Sequence, residues 1–486
     1  MKELYIITSR VDDDYKKVVV ASDTFDKVKK LYPGQTVRID HITELLKVTK
    51  ETLSKLITIN EKTRFPYGLL INEQYILSEE LVLFSIIDYD NKTIDLGNLK
   101  KYFKSRNIES KINVSSIYVF STESMLLNEK IIPLNFHNGL HIQNRLNKDS
   151  IREAISNSAT KLLNMSYSSG KFIYHINALT GEKSVNYNIL RHAGSVWSII
   201  NAKDYINDPS LNEKLDKQIN YLLDRYMYRT RNKAFLYRSE KKDGFSIGSC
   251  GLMLLVLTDY QLYFKDDKYL DLAKEFANGI LSMQQPNGDF FQYYDNDLQL
   301  KSQFECEFYV GETTLALMKL YEITHNQKYL DSVLDNLEYC INTGFEKYHD
   351  HWIAYTLAEV SKYVRSERII EFVIRNVTPM QRSRFNPTRL ESNVQLYRFY
   401  HYMKQYEEYK DLLEEFPIEQ IESNVDYYLK SLMSYYIGKE TAIFMKDIKK
   451  SINGFFCPMD DNRMRIDDIQ HSIMGLMNYC KYCNKE

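Results

Sequence analysis

Ionisable residues gather at five points in the second half of this chain, each at the start of an apolar helical stretch. The first is Tyr187-Asn188-Ile189-Leu190-Arg191-His192-Ala193-Gly194-Ser195. Its arginine can hold a carboxylate or hydroxyls, and its histidine can transfer a proton. The second is Phe308-Tyr309-Val310-Gly311-Glu312-Thr313. Glu312 falls on the first turn of an otherwise apolar helix. There the helix dipole lowers a carboxyl pKa while burial raises it, a competition that yields a general acid or base near neutrality. The third is His349-Asp350-His351-Trp352. Asp350 is a natural N-cap, and Trp352 offers a face on which a sugar ring can stack. Arg389-Leu390-Glu391 and Arg465-Ile466-Asp467-Asp468-Ile469-Gln470-His471 complete the set, each opening a helix with a basic and an acidic group.

Two kinds of helix must position these groups. Ile151–Met165, Lys214–Tyr226, Tyr269–Met283, Tyr329–Ile341 and Glu367–Val377 carry apolar residues at three- and four-residue spacing, as outer helices do. Between them lie near-continuously apolar stretches suited to an inside position: Asn188–Ile200, Gly248–Tyr260, Gly311–Leu320, Trp352–Val364, Leu390–Tyr402 and Asp468–Tyr479. The polar markers His192, Gly248, Glu312, His351, Glu391 and His471 recur at intervals of 56, 64, 39, 40 and 80 residues. The last interval holds one long outer helix, Ile418–Tyr436, and a helical insertion, Thr441–Ser451. Six inner and six outer helices predict an (α/α)6 toroid over residues 150–486, or seven hairpins if the insertion pairs on its own. In such a ring the connections before the inner helices meet at one end, and five of the six inner helices begin with Arg, His, Asp or Glu. Taken singly, each group reads as a cap, a core histidine or a structural ion pair. Their recurrence at one end argues for function.

Residues 1–145 read differently, as a small mixed α/β domain. Val18–Val20, Leu69–Ile71, Leu81–Ile87 and Val114–Phe120 have strand length, and Asp40–Leu56 and Leu96–Ser105 read as polar helices. Leu140–Asp149 is the expected linker. The chain as a whole is therefore expected to be α+β and multidomain.

Composition removes several classes of function. The net charge is −2, so no general basic field draws in nucleic acid or anionic membrane. No uninterrupted apolar run suggests membrane insertion, and the start has too short an apolar stretch for a signal peptide, which predicts a cytoplasmic protein. All six cysteines lie in the second half. Cys480 and Cys483 form Cys-x-x-Cys without a second pair; Cys457 and His471 are the available supplements for a zinc ion. His349 and His351, two apart, do not share a helix face. No metal centre is expected, and no Gly-rich phosphate loop or Gly-x-Ser-x-Gly elbow occurs, so no cofactor is expected either.

The second half resembles the six-hairpin glycosidase-like superfamily over roughly residues 150–483. The resemblance rests on Gly170–Tyr174, Tyr187–Gly194, Asn287–Phe290, Tyr309–Glu312, His351-Trp352, Gly454–Phe456 and the paired turns Asp266–Leu270 and Asn326–Leu330. It implies a toroid and a carbohydrate-active enzyme: a glycoside hydrolase, unsaturated-uronyl hydrolase, epimerase or polysaccharide lyase. For hydrolysis by two carboxylates the expected acid is Glu312, with Asp350 or Asp467 as its partner. Arg191, Tyr309, Trp352, Arg389, Glu391, Arg465 and His471 are then expected to bind substrate, with His192 and His351 beside them. Epimerisation or lysis would use His192 or His351 as base. A peptide-modifying toroid resembling lanthionine cyclases and a non-catalytic scaffold are the other readings, with residues 1–145 available to a protein partner. On the hydrolytic reading Glu312→Gln abolishes turnover with little change in melting temperature; full activity in that variant rejects the assignment.

Overall fold

A computed structural model of the chain describes residues 4–483 apart from 12–13, 22–35, 58–64, 106–113, 128–129, 138, 378, 380–384 and 458–459. The N-terminal region is built on an antiparallel sheet of β1 (Leu4–Val11), β2 (Asp14–Ala21), β3 (Val37–Val48), β4 (Gly68–Ile71), β5 (Tyr75–Leu77), β6 (Ile117–Leu127) and β7 (Ile131–Pro133). Its order is β2-β1-β3-β6-β4-β5, with β7 paired to β6. Val18–Val20 and Leu69–Ile71 are strands as expected, and Leu96–Ser105 is a helix.

Two expectations fail here. Asp40–Leu56 is extended through Val48, and only Lys50–Leu56 is helical, capped by Thr49. Pairing of β3 with β1 on one side and β6 on the other overrides the helix-like spacing of Ile42, Leu45 and Leu46. Leu81–Ile87 is helical through Ile86, and only Ile87–Asp88 is extended. A short continuous apolar run fits a buried helix as well as a strand.

Twelve helices follow: α1 (Lys148–Asn164), α2 (Ile189–Asn201), α3 (Leu211–Tyr226), α4 (Ile247–Phe264), α5 (Leu270–Leu281), α6 (Phe308–Thr324), α7 (Gln327–Thr343), α8 (His351–Val360), α9 (Glu367–Arg375), α10 (Pro387–Met403), α11 (Ile418–Ser434) and α12 (Ile466–Tyr482). The even-numbered helices form a closed ring, each packed on the next and α12 back on α2. The odd-numbered ones stand outside with one apolar face inward. α4 is long and apolar enough to cross a membrane, but 78% of it is buried within the ring.

At the end of the ring away from the inner-helix starts, charged side chains pair with one another. Glu359 takes Arg398 at 2.8 Å and also contacts Lys362, which reaches Glu322 at 2.7 Å; Glu322 in turn holds Lys319 at 2.5 Å. Asp259 accepts from the Trp197 indole at 2.7 Å.

The insertion is no seventh hairpin. It forms two four-residue helices, Lys439–Ala442 and Ile448–Ser451, and the segment between them enters the N-terminal region. Ile443 and Phe444 belong to the same apolar core as Leu69, Leu81, Phe103 and Val119. Glu440, fully buried, binds Arg145 through both carboxylate oxygens at 2.6 and 2.8 Å. The stretch expected as linker contains the strand Leu140–Ile142, whose Leu140 packs into the ring's core.

Phe444 is therefore a shared support. Phe444→Ala should cost about 3–5 kcal/mol. Amide exchange should quicken in β3, β4 and β6 before it does in α4 or α6. Uniform loss of protection across both regions would contradict this.

Candidate active site

Arg191, on the first turn of α2, contacts Asp467 on the first turn of α12 at 2.9 Å. Arg465, just ahead of α12, contacts the other Asp467 oxygen at 2.7 Å and Asp468 at 3.2 Å. A short strand pair, His175–Asn177 with Arg463–Arg465, holds that approach in place. One turn on, the His471 Nε2 lies 3.5 Å from Asp467, and its Nδ1 lies 2.7 Å from Glu391. Tyr355 donates to the second Glu391 oxygen at 2.7 Å. The His351 ring stands perpendicular to that of His471, centroids 5.0 Å apart.

All of these side chains except Glu391 and Tyr355 line two adjoining clefts that share Arg191 and Phe308. The smaller, about 170 Å³, includes His351, Trp352, Arg465, Asp467, Asp468 and His471. The larger, about 620 Å³, includes Tyr309, Glu312, Cys306, Arg238 and Glu305. That volume is in the range of small-molecule sites.

Missing side chains make room for the polar ones. A Cβ on Gly248 would lie 2.6 Å from Glu312 Oε2, and one on Gly311 would lie 2.1 Å from Asp350 Oδ2. Glu312 Oε2, Asp350 Oδ2 and His351 Nε2 are buried and have no hydrogen-bond partner among the described residues. Buried polar atoms of that kind are costly unless something else meets them.

The charge states diverge sharply. Burial would raise the Asp467 carboxyl, but Arg191, His471 and Arg465 outweigh it and hold it ionised, far below the usual range. Burial works against charge on His471, yet Glu391 and Asp467 carry it up to about 9. His351 is held well below its ordinary value by burial and by the charges of His471 and Arg191. It is neutral where His471 is an imidazolium. Burial pushes Glu312 up to about 8, with Arg191 pulling down and Asp350 pushing up. A neutral base, a charged acid, an ionised carboxylate and a protonated carboxyl thus meet at one mouth. Environments that drive pKa values apart are how acid and base roles are assigned in one site.

Several sequence expectations need correction. His192 is fully buried, with Tyr187 at 2.7 Å on one nitrogen and the Gln218 carbonyl at 3.0 Å on the other. It ties α2 to α3 and lines neither cleft. One residue further along a helix points about 100° away, so Arg191 and His192 cannot both face the mouth. Asp350 caps α8 by accepting from the Trp352 N–H at 3.0 Å, and it also lines neither cleft. Arg389 lines neither cleft, and Glu391 pairs with His471 instead. Trp352 is 1% exposed and packs on Trp197, so it forms the floor rather than a free stacking face. Arg191, Tyr309, Glu312, His351, Glu391, Arg465, Asp467 and His471 are brought together. Tyr355, Asp468, Phe308, Arg238 and Glu305 were not singled out beforehand. The first two lie within a turn of residues that were, whereas Arg238 and Glu305 sit in loops with no periodic signal.

His351, Glu391 and His471 offer atoms mutually within 4.8 Å and are the groups at the mouth that could hold a metal ion. No cysteine belongs to such a cluster among the described residues, and His471 is engaged far from the Cys480–Cys483 segment by Glu391 and Asp467.

Solved structures share the ring. A sugar epimerase from a ruminal bacterium aligns with a TM-score of 0.52 at 11% identity, covering 68% of this chain and 98% of its own. A D-mannose isomerase gives 0.50 at 11%, covering 69% and 98%. Cellobiose 2-epimerase from Bacillus thermoamylovorans B4167 gives 0.50 at 9%, covering 68% and 99%. The N-terminal region lies outside the match. The ring therefore has the six-hairpin toroid fold that the sequence resembles, attached to an α+β region of its own. No protein-family profile and no curated protein matches the sequence.

The pH dependence follows from two raised groups. Glu312 keeps a proton in the folded state up to about 8 that the unfolded chain loses near 4.5. His471 keeps one up to about 9 that is lost near 6.5 on unfolding. Above about pH 7, where the buried neutral His351 and His192 no longer differ from the unfolded chain, the folded state binds more protons, so stability should fall as pH rises toward 8. Urea unfolding at stepped pH should show that fall, and Glu312→Gln should make it shallower. An unchanged slope in the variant would rule out a protonated Glu312.

Proposed function

We propose that the ring transforms a small reducing saccharide by proton transfer at the carbon beside its carbonyl group, as an epimerase or isomerase does. The observation that carries this reading is the neutral His351, with an unpartnered buried Nε2, facing a cleft it shares with the charged His471. His351 takes the proton from carbon, and the electron pair moves toward the carbonyl. His471 gives a proton to the carbonyl oxygen, forming an enediol. In isomerisation His351 returns the proton to the neighbouring carbon while the other hydroxyl of the enediol gives its proton to His471; in epimerisation His471 takes back the hydroxyl proton and delivers it to the opposite face of the same carbon, and exchange with water resets both histidines. Arg191 fixes Asp467, and Asp467 with Glu391 keeps His471 charged. The fold match to a sugar epimerase and a D-mannose isomerase supports the same reading.

Hydrolysis is a second reading, favoured by one observation. Glu312 is a protonated carboxyl with an unpartnered oxygen on the larger cleft, and Asp467 is an ionised carboxylate nearby. That pair fits an acid and a nucleophile or base. Asp350, as a helix cap outside both clefts, fits that role less well.

Incubation with D-mannose, D-glucose and cellobiose in D2O separates the two. Proton transfer washes deuterium into the C2 position, read by NMR. His351→Asn and His471→Asn should each lower that rate by at least ~100-fold while the chain stays folded. Activity should decline above about pH 9 as His471 loses its proton. Cleavage of cellobiose without C2 exchange, abolished by Glu312→Gln, would replace this reading with hydrolysis. Wild-type exchange in both histidine variants would overturn the assignment of roles.

A further inference from the structure

We propose that Glu79, Glu80 and His141 bind a divalent transition-metal ion of the zinc(II) type where the N-terminal region meets the ring. None of these residues belongs to the ring mouth. Glu79 and Glu80 lie on the short helix Glu79–Leu81, and His141 lies in the strand Leu140–Ile142. Each is at most 2% exposed, and their candidate ligand atoms are mutually within 4.8 Å. Ligands about 2.0–2.2 Å from a zinc ion lie roughly 3–4 Å from one another, so small side-chain rotations close the site.

Three features ask for a cation. The first is charge. Arg38 binds Asp40 at 2.7 Å and Glu80 at 2.8 Å, and all three are fully buried. With Glu79 ionised and His141 neutral, three carboxylates would face one guanidinium, and one divalent cation would cancel the two negative charges left over. The second is unmet oxygen. Thr122 donates to Glu79 Oε1 at 2.8 Å, and the His141 N–H donates to Glu80 Oε1 at 2.9 Å. Among the described residues, nothing donates to Glu79 Oε2, Glu80 Oε2 or Asp40 Oδ2. The third is the imidazole. His141 Nε2 lies 3.2 Å from the Thr122 carbonyl, which sets its proton on that nitrogen. The Nδ1 lone pair then faces Glu80 Oε1 at 3.1 Å as well as the Arg38 guanidinium at 3.2 Å. A proton on Nδ1 would satisfy Glu80 and oppose Arg38. An ion taking the Nδ1 lone pair would displace the Arg38 contact there, leaving the guanidinium to Asp40 and Glu80 Oε1 and the ion to the unmet glutamate oxygens. Imidazole with carboxylates favours zinc over calcium or magnesium.

The ion would act as a pin. Arg38 and Asp40 belong to β3, Thr122 to β6, and Arg38 also donates to the Glu440 carbonyl of the ring insertion at 3.3 Å. Full-length protein equilibrated with zinc and freed of excess should carry one ion per chain by mass spectrometry of the metal. Stripping with a chelator should lower the melting temperature, and zinc should restore it. Glu79→Gln keeps the Thr122 contact and should weaken zinc binding more than ~100-fold, beyond the cost of changes outside the ligand shell. His471→Asn and the double change Cys480→Ser, Cys483→Ser should keep the ion. A wild-type chain that takes up no zinc and melts unchanged would overturn the proposal in favour of a proton shared by Glu79 and Glu80. Zinc kept by Glu79→Gln but lost with His471 or the cysteines would overturn it as well.

Discussion

Asp467 is a nearly buried carboxylate at the wall of the smaller cleft, and it stays ionised because three cations close on it. Two come from the helix start that bears it and from Arg465 just ahead, and the third, Arg191, arrives from α2 across the seam where the ring closes. An unpaired buried charge of that kind would cost several kcal/mol. Closure of the ring and the charge pattern of the site are therefore one constraint: the last inner helix must meet the first for Asp467 to keep its charge. Through His471 and Glu391 the same clamp extends to α10 and α8, so four of the six inner helices bear on it.

The two ends of the ring handle buried charge in different ways. At the end away from the helix starts, Lys319, Glu322, Lys362, Glu359 and Arg398 are mutually paired. A network satisfied within itself rigidifies the ring. Near the mouth, Glu312, Asp350 and His351 each keep a buried atom without a hydrogen-bond partner among the described residues, as Asp259 and Gln395 do toward the other end.

The N-terminal region is joined to the ring by more than a covalent link. Phe444 and Ile443 complete its apolar core, Glu440 clamps Arg145, and the Arg38 guanidinium lies 4.9 Å from the centre of the Phe444 ring. The insertion that lengthens the last repeat is thus a peg. It accounts for an 80-residue interval where the neighbouring ones are 39 and 40.

Periodicity alone was enough for the ring, because an inner helix touched on all sides must be apolar all round and an outer one only on one face. The recurring polar residues at the inner-helix starts likewise marked Arg191, Glu312, His351, Glu391, Asp467 and His471 in advance. Chain order could not say which neighbours point inward. His192 sits beside Arg191 and Asp350 beside His351, yet the helical turn sends one of each pair into the site and the other into a structural bond. Nor could it foresee β3, where strands distant in sequence overrule local spacing, or the meeting of Arg38, Glu80 and His141 from three separate segments. Those outcomes depend on contacts between residues up to several hundred positions apart, and only the closed tertiary structure sets them.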